Sequence, residues 1–157
     1  MTKSYFLKLY QYNAWANRKV VSCLVNQNVT DQKILSIFNH LVSAQFIWYN
    51  RFSGLPKSEY LLWGNYSLEQ LREMIEKANT LWIEFIETAD NFERELKYTN
   101  YVNDYYENSI GDIMAHLVNH GTYHRGQVAV LLREKGYNPV NTDFITYDRV
   151  LRGQLKD

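Results

Sequence analysis

Cysteine and proline are scarce in this sequence of 157 residues, and each scarcity narrows the choice of structure. The single cysteine, Cys23, excludes an intrachain disulfide framework and a metal site built from several thiolates. Only two prolines and seven glycines interrupt the chain, so long helices are permitted. We expect Cys23 to be a small buried hydrophobic residue.

An excess of charge of either sign is also lacking. Lys and Arg together number 17, Asp and Glu together number 17, and the formal net charge is zero. No basic excess therefore indicates a nucleic-acid surface. The first residues do not combine a basic region with an apolar core, and no apolar run is as long as a membrane span. We expect a cytoplasmic protein that binds neither nucleic acid nor membranes.

Apolar residues at helical spacing predict four long helices, and residues at their ends support the boundaries. Thr30 or Asp31 can cap the second helix, and Ser67 with Gln70 forms a capping box for the third. The second helix is predicted to stop at Ser53-Gly54, with Pro56 two residues further on as the second part of the stop signal. The predicted long helices span about residues 4–26, 30 or 31 to 52, 67–89 and 109–135, and a short fifth helix runs from 142 or 143 to 152.

Residues 91–108 lose the helical period and are rich in tyrosine, which predicts a long loop or a small hairpin between the third and fourth helices. The four long helices each have one apolar face, and each face needs neighbours that bury it. The predicted fold is therefore an all-α four-helix bundle, and residues 1–157 form one domain.

The stretch HLVNHGTYHRGQ, residues 116–127, holds three of the four histidines in the chain. At about 100° per residue, with His120 at zero, His124 lies near 40° and His116 near −40°. Most apolar residues of this helix lie between about 20° and 120° on the same wheel. His120 and His124 therefore face the bundle interior one turn apart, and His116 lies further toward its edge.

Two histidines four residues apart on one helix face can direct their ring nitrogens to a common metal ion. The fourth histidine, His40, lies at the edge of the apolar face of the second helix and can face inward. Three histidines with a fourth position open is the arrangement of a catalytic rather than a structural zinc site. The alternative is that the histidines are hydrogen-bonded residues of the core without a metal.

Other templates for a site do not match the sequence. A zinc-protease helix needs Glu after the first histidine, but Leu117 and Gly121 follow His116 and His120. A di-iron carboxylate bundle needs Glu three residues before a histidine, and none of the four histidines has one. Glycine-rich phosphate loops and the serine elbow GxSxG are absent as well.

The first helix contains YQYNAWANRKV, the second contains FNHLVSAQFIWYNRF, and the fourth contains IGDIMAHLVNHGTYHRGQVAVLLREKGYNP, which TDFITYDR follows. These segments resemble the DinB family, part of the larger DinB/YfiT-like superfamily of metalloenzymes. The resemblance covers nearly the whole chain and is most specific at residues 116–127 and in TDFITYDR. It implies an up-down-down-up four-helix bundle, often a homodimer, in which three histidines bind a divalent metal, usually zinc or nickel.

Carried over residue by residue, the family's ligands match His40, His120 and His124. The resemblance further implies a metal-dependent enzyme acting on a small-molecule substrate, either a thiol S-transferase that uses a low-molecular-weight thiol or a hydrolase. A non-catalytic metal-binding or stress-response bundle is the alternative. A metal-free structural or interaction protein is the third hypothesis.

Several polar residues near these histidines remain candidates for supporting roles. His116 and Gln127 are interpreted as neighbours of the metal ligands, and Asp112 as a partner of His116 in a polar chain. Asn13 and Asn17 either line the cleft or face water. We assign no catalytic residue, and we give Tyr123 and Arg125, which flank His124 in sequence, no catalytic role.

Overall fold

The computed structural model describes residues 2–55, 58–100 and 102–157. Within these residues the chain is mostly helical, with five helices and one two-stranded sheet, which confirms the predicted all-α class and the hairpin alternative. The elements are α1 (Lys3–Asn26), α2 (Gln32–Ser53), α3 (Leu68–Thr88), β1 (Glu95–Thr99), β2 (Tyr105–Ser109), α4 (Ile110–Glu134) and α5 (Phe144–Leu151).

Side-chain caps fix the helix starts that the sequence predicts. Asp31 accepts hydrogen bonds from the amides of Lys33 and Ile34, which makes it the cap of α2. Ser67 and Gln70 form the predicted capping box of α3. At the other end of α2, Gly54 adopts the left-handed conformation with φ of 61°, so a residue without Cβ suits this position. Pro56, the second part of the predicted stop, lies outside the described residues.

The tyrosine-rich segment between α3 and α4 forms an antiparallel hairpin. Glu95 pairs with Ser109 and Thr99 pairs with Tyr105. Ser109 is both the last residue of β2 and the cap of α4, where its side chain accepts from the amide of Asp112. The hairpin therefore leads directly into the helix that carries three of the four histidines.

The four long helices share one hydrophobic core. α1 packs against α3 and α4, and α2 packs against the same two helices. The predicted up-down-down-up order of helix directions stays a prediction. In the part of the chain that the structure describes, no helix is both long enough and apolar enough to cross a membrane.

Candidate metal centre

The packing of α2 against α4 brings three histidines from two helices together. His120 Nε2 lies 3.0 Å from His40 Nε2 and 3.1 Å from His124 Nε2. One ring nitrogen from each of these residues lies within 4.8 Å of the other two, which is close enough to hold a metal ion. The two residues from α4 are one turn apart, as the helical wheel predicts, and His40 faces them from α2.

The outer nitrogens of two of these rings have oxygen partners. His40 Nδ1 lies 3.3 Å from the backbone carbonyl oxygen of Leu62, and His124 Nδ1 lies 2.7 Å from Gln127 Oε1. Carbonyl and amide oxygens only accept hydrogen bonds, so both Nδ1 atoms carry the proton. In each neutral ring, Nε2 is then left with a lone pair that is directed at His120 Nε2.

This arrangement of lone pairs fits a cation better than a set of hydrogen bonds. His120 Nε2 carries at most one proton and can donate to only one of its two neighbours. A metal ion would accept a lone pair from all three rings. Tetrahedral zinc at about 2.0–2.1 Å from each nitrogen places the nitrogens about 3.3 Å apart, close to the separations at His120. The residues present therefore fit a divalent metal ion.

Burial favours the neutral form of two rings of the cluster, those of His120 and His40. The pKa of His120 is lowered from 6.5 to about 3, first by burial and then by the neighbouring His124, His40 and His116. Burial, with a smaller effect of His124, also lowers the pKa of His40. Since a histidine binds metal through a neutral ring, both shifts favour the ligand form at neutral pH.

The loop of residues 58–66 between α2 and α3 holds His40 from a second side. The indole of Trp63 stacks on the His40 ring, with ring centroids 4.0 Å apart and an angle of 16° between the planes. Leu62 supplies the carbonyl oxygen that faces His40 Nδ1. Neither residue is indicated by the sequence, because the loop has no helical or strand period and its contacts with α2 are non-local.

Hydrogen bonds fix the shape of this loop. The amide of Leu61 donates to Tyr66 Oη at 2.9 Å, and the amide of Tyr66 donates to Asn39 Oδ1 at 2.8 Å. A Cβ atom at Gly64 would lie 2.3 Å from the Tyr66 ring, so the loop needs glycine there. Asn39 precedes His40 on α2, and the loop is therefore anchored directly beside the cluster.

Gln127 and His116 lie on opposite sides of the candidate ligand pair of α4, His120 and His124. Gln127 contacts His124 Nδ1, whereas the exposed His116 ring lies 5.5 Å from the His120 ring. His116 and Asp112 both line a cleft of about 270 Å³ beside the cluster, but the Asp112 carboxylate accepts from Ser109 Oγ at 2.8 Å. Burial lowers the pKa of His116.

Arg125 forms a buried polar cluster with α1 that the sequence analysis missed. Its Nη1 donates to Asn13 Oδ1 at 2.7 Å and to Asn17 Oδ1 at 2.8 Å, and its Nη2 donates to the Tyr12 and Thr122 hydroxyls. Burial lowers the pKa of Arg125, which Tyr12 partly offsets. Asn13 and Asn17 therefore do not face water. Arg125 lies near 140° on the helical wheel, next to the apolar face. This position is the sequence feature that could have indicated its burial.

Comparison with known proteins assigns the chain to a family. The sequence profile of the DinB family matches residues 1–153. This chain belongs to the DinB family. Protein DinB of Bacillus subtilis (strain 168) is 27% identical to it over 157 residues, an alignment that covers 89% of this chain and 91% of the relative. The resemblance inferred from the histidine-bearing segments is thus confirmed, and the DinB family match extends from α1 through α5.

Proposed function

We propose that this DinB-family chain is a metal-dependent enzyme whose divalent ion is held by His40, His120 and His124. The observation that carries the proposal is the hydrogen bonding of the outer nitrogens, which directs the Nε2 lone pairs of His40 and His124 toward His120. Zinc is the first candidate ion because it accepts three neutral histidines, and nickel is the second.

Three protein ligands leave a coordination position for a small-molecule substrate. A bound divalent ion would lower the pKa of a low-molecular-weight thiol or of water, which supports a thiol S-transferase or a hydrolase reaction. Gln127 and the Leu62 carbonyl hold the proton on the outer nitrogens and so keep the inner nitrogens available. His116 lines the adjacent cleft, where it can contact the substrate.

The wider setting of the reaction is proposed from the family resemblance. We propose that residues 1–157 act as one domain, that two copies form a homodimer, and that the enzyme works in the cytoplasm.

Metal content tests the ligand assignment. Protein purified without a histidine tag is expected to contain about one zinc or nickel ion per chain by mass spectrometry. The double variant His120→Ala, His124→Ala and the single variant His40→Ala are expected to lose the metal, because too few ligands remain. His116→Ala is the matched control on the same helix and is expected to keep it. A double variant with full metal content would contradict the assignment.

X-ray absorption and thiol turnover then separate an enzyme from a metal-binding bundle. Three histidine nitrogens plus a water oxygen support catalysis, whereas four saturated protein ligands support the non-catalytic alternative. Metal-dependent conjugation of a low-molecular-weight thiol to an electrophile supports the transferase. Ester or amide hydrolysis without thiol turnover supports the hydrolase.

A further inference from the structure

Trp63 is held against the histidine cluster and is nevertheless open to solvent. The indole stacks on His40 with ring centroids 4.0 Å apart, yet the residue is 60% exposed. Since the stack covers one face of the indole, most of the exposed area belongs to the opposite face and the ring edge. An exposed indole beside a candidate site can supply a large apolar contact area for a ligand.

Tyr123 provides a second exposed aromatic ring from another element. It lies on α4, is 64% exposed, and contacts the His124 ring edge-to-face at 5.1 Å. The rings of His40 and His124 are themselves 4.8 Å apart. Trp63 and Tyr123, which we call the aromatic rim, therefore border the cluster on the loop side and on the α4 side.

On the loop side, contacts with His40 and Tyr66 position the Trp63 ring of the aromatic rim. Neither ring of the rim carries a formal charge. The stack on His40 and the two hydrogen bonds of Tyr66 hold Trp63 in place before any ligand arrives, so little freedom is lost on binding. Indole and phenol rings attract flat apolar groups by stacking and edge contacts. Neither the indole nor the phenol ring carries a charge that would attract a phosphate or carboxylate group.

We propose that the aromatic rim binds a flat aromatic or conjugated apolar group of the substrate while a donor atom of the same molecule reaches the metal ion. This inference rests on the proposed metal-dependent function and names the substrate class for that site. Trp63 is the main contact, and Tyr123 adds a smaller one. The same two rings make the site selective for ring-bearing substrates over aliphatic ones.

A pair of hydroxamates tests the inference without knowledge of the natural substrate. Acetohydroxamate and benzohydroxamate share one chelating group and differ in a methyl or phenyl substituent. Titration calorimetry on zinc-loaded protein gives the ratio of their affinities, and the same ratio for zinc ions in solution corrects for intrinsic differences. We expect the protein to favour benzohydroxamate by a further factor of about 3–10.

Variants then assign the preference to the rim. Trp63→Ala and Trp63→Leu are expected to remove most of the preference and leave acetohydroxamate affinity within about twofold, whereas Trp63→Phe keeps a ring and part of the preference. Tyr123→Ala is expected to reduce it less. Tyr105→Ala removes an equally exposed aromatic residue from the hairpin and serves as the control. Metal content is measured for each variant.

The outcomes separate this inference from the function on which it rests. Acetohydroxamate binding without any preference for the phenyl group, or a preference that survives in both Trp63→Ala and Trp63→Leu, overturns the aromatic rim and leaves the metal site intact. Protein that holds no metal and binds neither hydroxamate overturns the proposed function and the inference with it. Nuclear Overhauser contacts between phenyl and indole protons in the wild-type complex support the rim directly.

Discussion

Arg125 donates a hydrogen bond of 2.7 Å to Asn13 Oδ1 and thereby joins α4, which carries two candidate metal ligands, to α1. The Arg125 side chain is buried, with 2% exposure, and its partners are amide and hydroxyl oxygens rather than a carboxylate. A buried cation held only by neutral acceptors depends on each of them, because desolvation is costly when a partner is lost.

Asn13→Ala tests how much this bond stabilises the bundle. We expect the free energy of unfolding in urea to fall by about 2–3 kcal/mol, since one N–H of the buried guanidinium loses its acceptor and only Asn17 still accepts from Arg125 Nη1. Asn119→Ala on α4 removes an exposed asparagine and is expected to change stability by less than about 0.5 kcal/mol. Equal effects of the two substitutions would show that the buried bond contributes nothing.

Two glycines of α4 form a matched pair that probes the same cluster. A Cβ at Gly121 would lie 2.6 Å from Asn13 Oδ1 and 2.9 Å from Arg125 Nη1, whereas nothing lies within 4 Å of a Cβ at Gly126. Gly126→Ala is expected to stabilise the helix by about 0.5–1 kcal/mol. Gly121→Ala is expected to destabilise the protein by about 1–3 kcal/mol, because the displaced groups are buried and bonded to each other. Thermal unfolding that ranks the two variants in the reverse order would contradict the packing.

Gln127 is expected to tune metal affinity through His124. Gln127→Ala removes the acceptor that faces His124 Nδ1 at 2.7 Å, so the ring loses its fixed orientation and tautomer. We expect the dissociation constant for zinc, measured by competition with a chromophoric chelator, to rise roughly 10-fold to 100-fold. Gln127→Glu keeps an acceptor and should retain most of the affinity. Gln154→Ala, at an exposed position, is the control, and a Gln127→Ala variant that matches it would argue against this role.

The metal-free protein is expected to lose stability as the pH falls below about 6.5. The pKa of His120 is about 3 in the folded chain against an ordinary value of 6.5, so between these values the unfolded state binds a proton that the folded state does not. Unfolding therefore becomes easier as the pH falls through this window. The lowered pKa values of His40 and His116 act in the same direction.

Urea unfolding between about pH 4.5 and 6.5, with a chelator present, isolates this effect from most carboxylate titration. His120→Ala is expected to reduce the pH slope by about 0.5 kcal/mol per pH unit, a value discounted for the partial exposure of the ring. An unchanged slope in this variant would mean that His120 does not carry the effect.

Local signals made the helices and the inward histidines predictable. The capping box of Ser67 and Gln70 lies within four residues, and the spacing of His120 and His124 follows from the helical repeat alone. The helical wheel also placed His40 at an inward edge. These patterns do not predict which helices are in contact, so the candidate ligand set of His40, His120 and His124 required the family resemblance in addition.

The sequence did not indicate the roles of Leu62, Trp63 and Arg125, because their contacts are with residues far away in the chain and leave no local sequence pattern. Leu62 and Trp63 reach His40 from a loop more than 20 residues further along the chain, and one of the two contacts uses only a backbone oxygen. Arg125 was given no catalytic role because a residue next to His124 in sequence points in a different direction on the helix. Its burial depends on asparagines of α1 that lie more than 100 residues earlier.

The separation of the histidines along the chain sets the order in which the cluster can arise during synthesis. His40 precedes His120 by 80 residues. At about 5–20 residues per second, the ribosome adds the second ring roughly 4–16 s after the first. A nascent chain that ends before α4 holds α2 and the loop of residues 58–66 without the other two rings. Binding of the proposed metal ion therefore requires a nascent chain that extends through α4, because fragments that stop at the hairpin lack two of the three candidate ligands.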